Sequence, residues 1–262
     1  MWFGDGADDR TLADYGFRLK GGGVHQTKTI MLRELGILNK NRASLIDSLE
    51  AIVIDQNALA KATVSARRLA LARLRALYGL GHTYLITQVL DRLWARNAHA
   101  CPQLALLAAL ARDPLLRDSS AVVLAAELGI SIRWPAIAAQ LEISHPGRFS
   151  PKMLKSLSQN CTSSWTQSGH LIGKVNKRRS RSPATAVAAA YAALLASLAG
   201  FGGPALLQSP WLAVTDSPLA ERLDLLRQAE SLGLARVRAA GDILEISVRG
   251  PMLETLGISA HG

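Results

Sequence analysis

The chain has 262 residues, which is enough for one large domain or two small ones. Apolar residues make up 49% of the chain and charged residues 19%, and this composition excludes a disordered or collagen-like protein. Aromatic residues are only 5%, while Ala and Leu recur throughout, so helices are favoured over a β-sandwich. Lys and Arg outnumber Asp and Glu by 30 to 20, for a net charge of +10.

Cysteine use and the apolar runs bear on where the protein resides. Cys101 and Cys161 form no CxxC pair, which argues against a disulfide framework and fits a reducing cytoplasm. The acidic N-terminus has no apolar core of the kind found in signal peptides. The apolar run 184–199 has 16 residues, fewer than the about 20 needed to cross a bilayer. The sequence therefore predicts a soluble, cytoplasmic protein with no membrane partner.

The first half of the chain has the pattern of a helical bundle. Residues 1–15 are expected to be a flexible N-terminus, and residues 16–128 a bundle domain. Apolar residues at helical spacing predict the elements of this domain. These are helices over 27–38, 43–54, 63–78, 84–96, 102–111 and 114–128.

The second half, residues 129–262, combines helices with short strands. A β-like run over 130–133 precedes a small helix over 135–141, and Ser150-Pro151 begins a longer helix that ends near Gln167. A short hairpin or extended arm is expected over 170–181. An alanine-rich helix, a helix near 218–232 and a hairpin over 234–248 complete the chain. The order of helix, glycine and basic arm is that of a winged helix.

The positive charge is concentrated in one stretch. Residues 143–215 contain no Asp or Glu, and eight cations give them a charge of +8, whereas the rest of the chain carries +2. The basic helix and the wing-like arm are therefore expected to bind nucleic-acid phosphates. The cations are Arg148, Lys152, Lys155, Lys174, Lys177, Arg178, Arg179 and Arg181, and the hydrogen-bonding residues expected beside them are Asn160, Ser163, Ser164 and Gln167. An acidic protein partner and a plain solvated surface remain the alternatives.

No pattern in the sequence predicts catalysis, a cofactor or a metal site. The run from Gly22 to Thr29 is close to a P-loop, but Thr27 stands where the second glycine must let the backbone approach phosphate. The histidines form no HExxH pair, and Ser163-Ser164 lacks a GxSxG elbow. The acid-free stretch also lacks the carboxylates of a metal-dependent nuclease, although Asp113 and Asp118 could still converge in space.

Residues 55–67 resemble the N-x-L-x-K-x-[ST] signature of BrxA, a small helical protein of the BREX bacteriophage-defence systems. The positions that match are Asn57, Lys61, Thr63 and Arg67. A looser likeness extends over 20–23, 104–116 and 225–234. The resemblance implies a NusB-like helical core with winged-helix-like elements that binds double-stranded DNA without known catalysis.

The matching positions also have a structural interpretation. Asn57 and Thr63 could cap helix ends, and Lys61 could be solvated. Together with Arg67 and Arg68, these three residues could instead extend a phosphate-binding surface along the arginine-rich helix. The cations of that helix equally suit the solvent-exposed face of an amphipathic helix.

The sequence thus predicts a mainly α protein: a NusB-like helical bundle with winged-helix-like elements and one or two short β-hairpins. The expected function is non-enzymatic binding of double-stranded DNA in a bacterial phage-defence system, beside other proteins of the same operon. Two alternatives remain open. One is a scaffold that binds acidic partners in a defence complex, and the other is an RNA-binding, antiterminator-like protein.

Overall fold

The computed structural model describes residues 1–41, 49–240 and 243–259, with the side chains of residues 240 and 243 excepted. Part of the helix predicted over 43–54, and the turn predicted at residues 241–242, lie outside these residues. Within them the fold is mainly helical with two short antiparallel hairpins, as predicted. The helices are α1 (Asp9–Tyr15), α2 (Leu32–Asn41), α3 (Val64–Tyr78), α4 (Leu85–Arg96), α5 (Cys101–Arg112), α6 (Pro114–Ala125), α7 (Trp134–Ser144), α8 (Pro151–Gln167), α9 (Ala186–Leu198), α10 (Gly203–Gln208), α11 (Pro210–Ala213), α12 (Leu219–Ser231) and α13 (Arg249–Leu256).

The strands form two separate hairpins, β1 (Leu171–Ile172) with β2 (Arg178–Arg179) and β3 (Arg236–Ala240) with β4 (Ile243–Ser247). Shorter helical turns are a 3-10 turn over Val24–Gln26 and a π-helical turn over Ala51–Asp55.

Capping residues explain where several helices begin and end. The hydroxyl oxygens of Thr63 and Ser150 accept backbone N–H groups at the starts of α3 and α8, and the Asp113 carboxylate does the same at the start of α6. Gly79 ends α3 in the left-handed conformation with φ 67°. These boundaries follow from local chemistry, which is why the sequence locates them.

The centre of the molecule is built on α5 and α9. Residues 103–112 of α5 and 187–196 of α9 are buried on every side, and the two helices pack against each other. Alanine predominates in α9, and its small side chain lets neighbouring backbones approach closely. The apolar run over 184–199 is therefore a packed core helix. Among the described residues, no helix has both the length and the apolar character that a membrane span requires.

A single buried apolar cluster contains residues from both sides of the predicted boundary at residue 128. The N-terminus is part of this packing, in contrast to the flexible segment expected over 1–15. Trp2 packs edge-on against Trp211 with ring centroids 4.7 Å apart, and the Trp211 indole donates a hydrogen bond to the Trp2 carbonyl. Phe3 contacts the rings of Phe17 and Trp211, and residues 9–15 form α1. Burial of these aromatic rings offsets the entropy lost on ordering the segment.

The basic region adopts the order of elements found in a winged helix. Helices α6, α7 and α8 pack on one another, and α8 leads into the β1–β2 hairpin. Ser131, in the segment between α6 and α7, pairs with Arg178, so β2 lies between this segment and β1. The hairpin therefore extends beside α8 as a wing. The NusB-like arrangement expected for the helical core stays a prediction.

Candidate nucleic-acid interface

A cleft of about 650 Å³ lies where the start of α7, one face of α8 and the β1–β2 loop meet. Four cations line it, and none of its lining residues is acidic. The lining residues are Ile132, Arg133, Trp134, Pro135, Lys155, Gln159, Thr162, Ser163 and the loop residues Lys174, Val175, Asn176 and Lys177. This composition suits an anionic ligand.

One face of helix α8 is exposed and the opposite face is buried. Lys152, Lys155 and Gln159 are exposed, whereas Leu157 and Cys161 are fully buried against the core. The spacing of three or four residues within each set matches the 3.6-residue period of a helix. Burial of one face thus holds the other toward the cleft.

Lys177 is the most constrained of the cleft cations. Its Nζ lies 2.9 Å from Ser163 Oγ and 3.3 Å from Thr162 Oγ1, and both hydroxyls accept hydrogen bonds from it. Burial of half of the side chain lowers the pKa of this ammonium group. No carboxylate in the described part of the chain pairs with it at salt-bridge distance. A positive charge is therefore oriented beside the cleft, with no counter-ion among the residues that the structure describes.

Lys155 is held beside the start of α7. Its Nζ lies 5.5 Å from the centroid of the half-buried Trp134 ring, a cation–π geometry that positions the ammonium group while leaving it exposed. The interaction joins the start of α7 to α8. Lys174 on the loop is exposed, and the three lysines line the same cleft.

Four other predicted cations lie on the surface outside the cleft lining. Lys152, Arg178 and Arg181 are exposed. Arg148 is exposed as well, with its guanidinium 5.1 Å from the Phe149 ring centroid and one nitrogen 3.4 Å from a ring nitrogen of His145. All four can contact an extended anionic ligand.

Arg179 does not belong to this surface, which corrects the expectation that it contacts phosphate. Its guanidinium is buried and forms a bidentate ion pair with Asp216, and it also donates to the His170 carbonyl. Asp216 is the first acidic residue after the acid-free stretch. The strand alternation turns Arg178 outward and Arg179 inward, where only an internal carboxylate can compensate its charge.

Three further predicted contacts face the interior. The Asn160 amide donates to the His25 carbonyl at 2.9 Å, and Gln167 Oε1 accepts the Leu32 N–H at 3.1 Å. Ser164 is fully buried. Spacings of four and three residues place these side chains on one face of α8, which packs against residues 25–32. Each of the three side chains therefore makes at least one hydrogen bond within the protein.

Trp165 is also buried, and its indole donates to Ser119 Oγ at 2.8 Å, so its role is in the core and not in base stacking. Eight of the twelve cleft residues are absent from the sequence-based set, among them Gln159 and Arg133. Gln159 lies four residues after Lys155, a spacing that signals a shared helical face. Arg133 lies outside the acid-free stretch, and only the tertiary structure brings it to the cleft.

Behind α8, Ser164, His25 and Asp113 form a linear hydrogen-bonded series. His25 Nε2 lies 2.8 Å from Ser164 Oγ, and His25 Nδ1 lies 2.7 Å from Asp113 Oδ2. The order is that of a serine-hydrolase triad, but all three side chains are buried and Ser164 Oγ accepts the Ile30 N–H. A substrate carbonyl cannot reach Oγ in this arrangement. A Cβ at Gly23 would lie 1.8 Å from Asp113 Oδ1, so only glycine permits this close approach.

We interpret the hydrogen bonds among Ser164, His25 and Asp113 as structural. They join the 3-10 turn to α8 and to the start of α6. Burial alone would raise the pKa of Asp113, but the charge and hydrogen bonds of His25, with further backbone N–H donors, hold it below its usual range. Asp118 is paired separately, with His145 Nε2 at 2.8 Å. No group of three or more potential metal ligands occurs among the described residues.

The residues that match the BrxA signature make contacts within the protein. Asn57 has φ 53° and accepts the Lys61 N–H at 2.8 Å, and the Lys61 ammonium pairs with Glu34 at 3.0 Å. Thr63 caps α3, and Arg67 donates to the carbonyl of residue 54. These contacts hold the loop before α3. Arg68, by contrast, is exposed.

Comparison with known proteins adds no assignment: no protein-family model matches the chain, and no curated protein matches its sequence.

Proposed function

We propose that the protein binds double-stranded DNA, with the cations of the cleft between α8 and the β1–β2 loop contacting its phosphates. The observation that carries the proposal is a cleft lined by four cations and no carboxylate. Duplex DNA carries about one negative charge per 1.7 Å of axis, and each neutralised phosphate releases counterions. Lys177, oriented by two hydroxyls, supplies the central phosphate contact.

The arrangement of elements supports a duplex ligand. In winged helices one helix enters a DNA groove, and phosphate contacts from neighbouring elements set its position. Here the exposed face of α8 and the wing border the same cleft, while Arg133 extends the basic surface to the start of α7. The protein would act by binding and not by catalysis.

The biological setting that we propose is a cytoplasmic role in bacterial phage defence, together with other proteins of the same operon. Its support is the resemblance of residues 55–67 to the BrxA signature.

The proposal is tested by fluorescence anisotropy with labelled random duplexes over a salt series. Neutralisation of about six phosphates predicts a slope of log K against log[salt] near −5. The triple variant Lys155→Gln, Lys174→Gln and Lys177→Gln should reduce the slope by about one unit per removed contact. A control variant removes the same charge elsewhere, at the exposed residues Arg10, Arg92 and Arg236, and should leave the slope close to that of the wild type.

A salt-independent affinity, or equal effects of the two triple variants, would overturn the proposal. Preference for single-stranded RNA over duplex DNA would support the antiterminator-like alternative instead. Capture of acidic proteins that persists after nuclease treatment, without retardation of DNA, would support the scaffold.

A further inference from the structure

The exposed face of α8 carries an amide side chain with no hydrogen-bond partner in the described part of the chain, that of Gln159. Each of the other two amides of this helix makes a hydrogen bond within the protein: Asn160 donates to the His25 carbonyl, and Gln167 accepts the Leu32 N–H. Gln159 is exposed and lines the cleft. Its donor and acceptor are both available to a ligand.

The neighbours of Gln159 place it where a base contact is expected. Lys155 precedes it by four residues and Ser163 follows it by four, so the three side chains share one face of the helix. Lys155 supplies a cation on one side, and Ser163 orients Lys177 on the other. Phosphate contacts on both sides would hold the amide against the groove between them.

We propose that Gln159 reads adenine in the major groove and makes DNA binding sequence-selective. The inference rests on the proposed function. The Gln159 amide is complementary to the major-groove edge of adenine, because Oε1 accepts from the N6 amino group and Nε2 donates to N7. No other base offers this donor and acceptor pair in the major groove.

The experiment is selection of bound duplexes from a randomised pool, followed by affinity measurement on the enriched site. The wild type should enrich a site with a fixed adenine, and 7-deazaadenine at that position should weaken its binding by roughly five-fold or more. Gln159→Ala should lose the preference at that position and tolerate 7-deazaadenine. The matched control is Gln228→Ala, an exposed amide on α12, and it should behave as the wild type does.

Two results would overturn the inference while leaving the proposed function intact. One is duplex binding by the wild type without enrichment of any sequence. The other is retention of the adenine preference by Gln159→Ala. Absence of duplex binding by the folded wild type would instead refute the proposed function, and the inference with it. Because Gln159 is exposed, the alanine variant should fold, and circular dichroism verifies this.

Discussion

Arg179 and Asp216 form a bidentate ion pair with side-chain exposures of only 4% and 11%. Asp216 also accepts the Ser182 N–H at 2.7 Å, so one carboxylate joins the base of the wing, the segment leading to α9 and the segment before α12. The wing is thereby attached to the core through residues that do not line the cleft. The basic region and the helical core are linked through this pair.

Removal of Asp216 should therefore be strongly destabilising. Asp216→Ala leaves a buried guanidinium without its counter-ion, which costs about 3–5 kcal/mol of unfolding free energy. Urea denaturation followed by circular dichroism measures this loss. The control is Asp224→Ala, which removes an exposed pair with Arg227 and should change stability by about 0.5 kcal/mol or less. Similar losses in both variants would contradict the structural role of the Arg179–Asp216 pair.

The buried link between Asp113 and His25 predicts how stability depends on pH. The pKa of Asp113 is lowered in the folded protein, so between the folded and unfolded values the unfolded chain binds more protons. This stabilisation is fully present above the unfolded pKa of about 3.9 and is lost as pH falls through the folded value.

Asp113→Asn should accordingly lower the unfolding free energy at neutral pH and flatten its decline below about pH 4. Urea titrations at a series of pH values measure both effects. Asp5→Asn, at an exposed position, is the control and should keep the wild-type profile. An unchanged acid profile in Asp113→Asn would contradict the assignment.

The aromatic contacts of the N-terminus predict that it contributes to stability. Trp2→Ala removes the edge-to-face contact with Trp211 and part of the buried apolar surface, and should cost about 1–3 kcal/mol. Thermal unfolding should show a lower Tm. Ile143→Ala alters an apolar residue that is 74% exposed and should change Tm little. Equal Tm values for Trp2→Ala and the wild type would show that the segment is dispensable.

A single substitution in the cleft tests the phosphate contact of Lys177. Lys177→Gln should weaken binding to all duplexes by a similar factor and reduce the salt slope by about one unit. Lys20→Gln, which changes an exposed lysine outside the wing and α8, controls for the loss of charge. Anisotropy titrations on two unrelated duplexes measure the effect. A loss confined to one duplex would contradict a backbone contact.

Features that depend only on residues close together along the chain could be predicted from the sequence. Ser150-Pro151 begins α8 because the serine hydroxyl accepts a backbone N–H one turn later, and the concentration of positive charge follows from composition alone. The same local grounds predict the mainly helical class, one or two short hairpins and the burial of α9. These properties need no knowledge of distant contacts.

The tertiary structure alone decided which polar residues face a ligand. Arg178 and Arg179 are adjacent in sequence, yet one is exposed and the other is buried on Asp216. Ser163 and Ser164 divide in the same way, between Lys177 at the cleft and His25 in the interior. A buried charge requires a partner that can lie anywhere along the chain, and only the folded arrangement brings the two together.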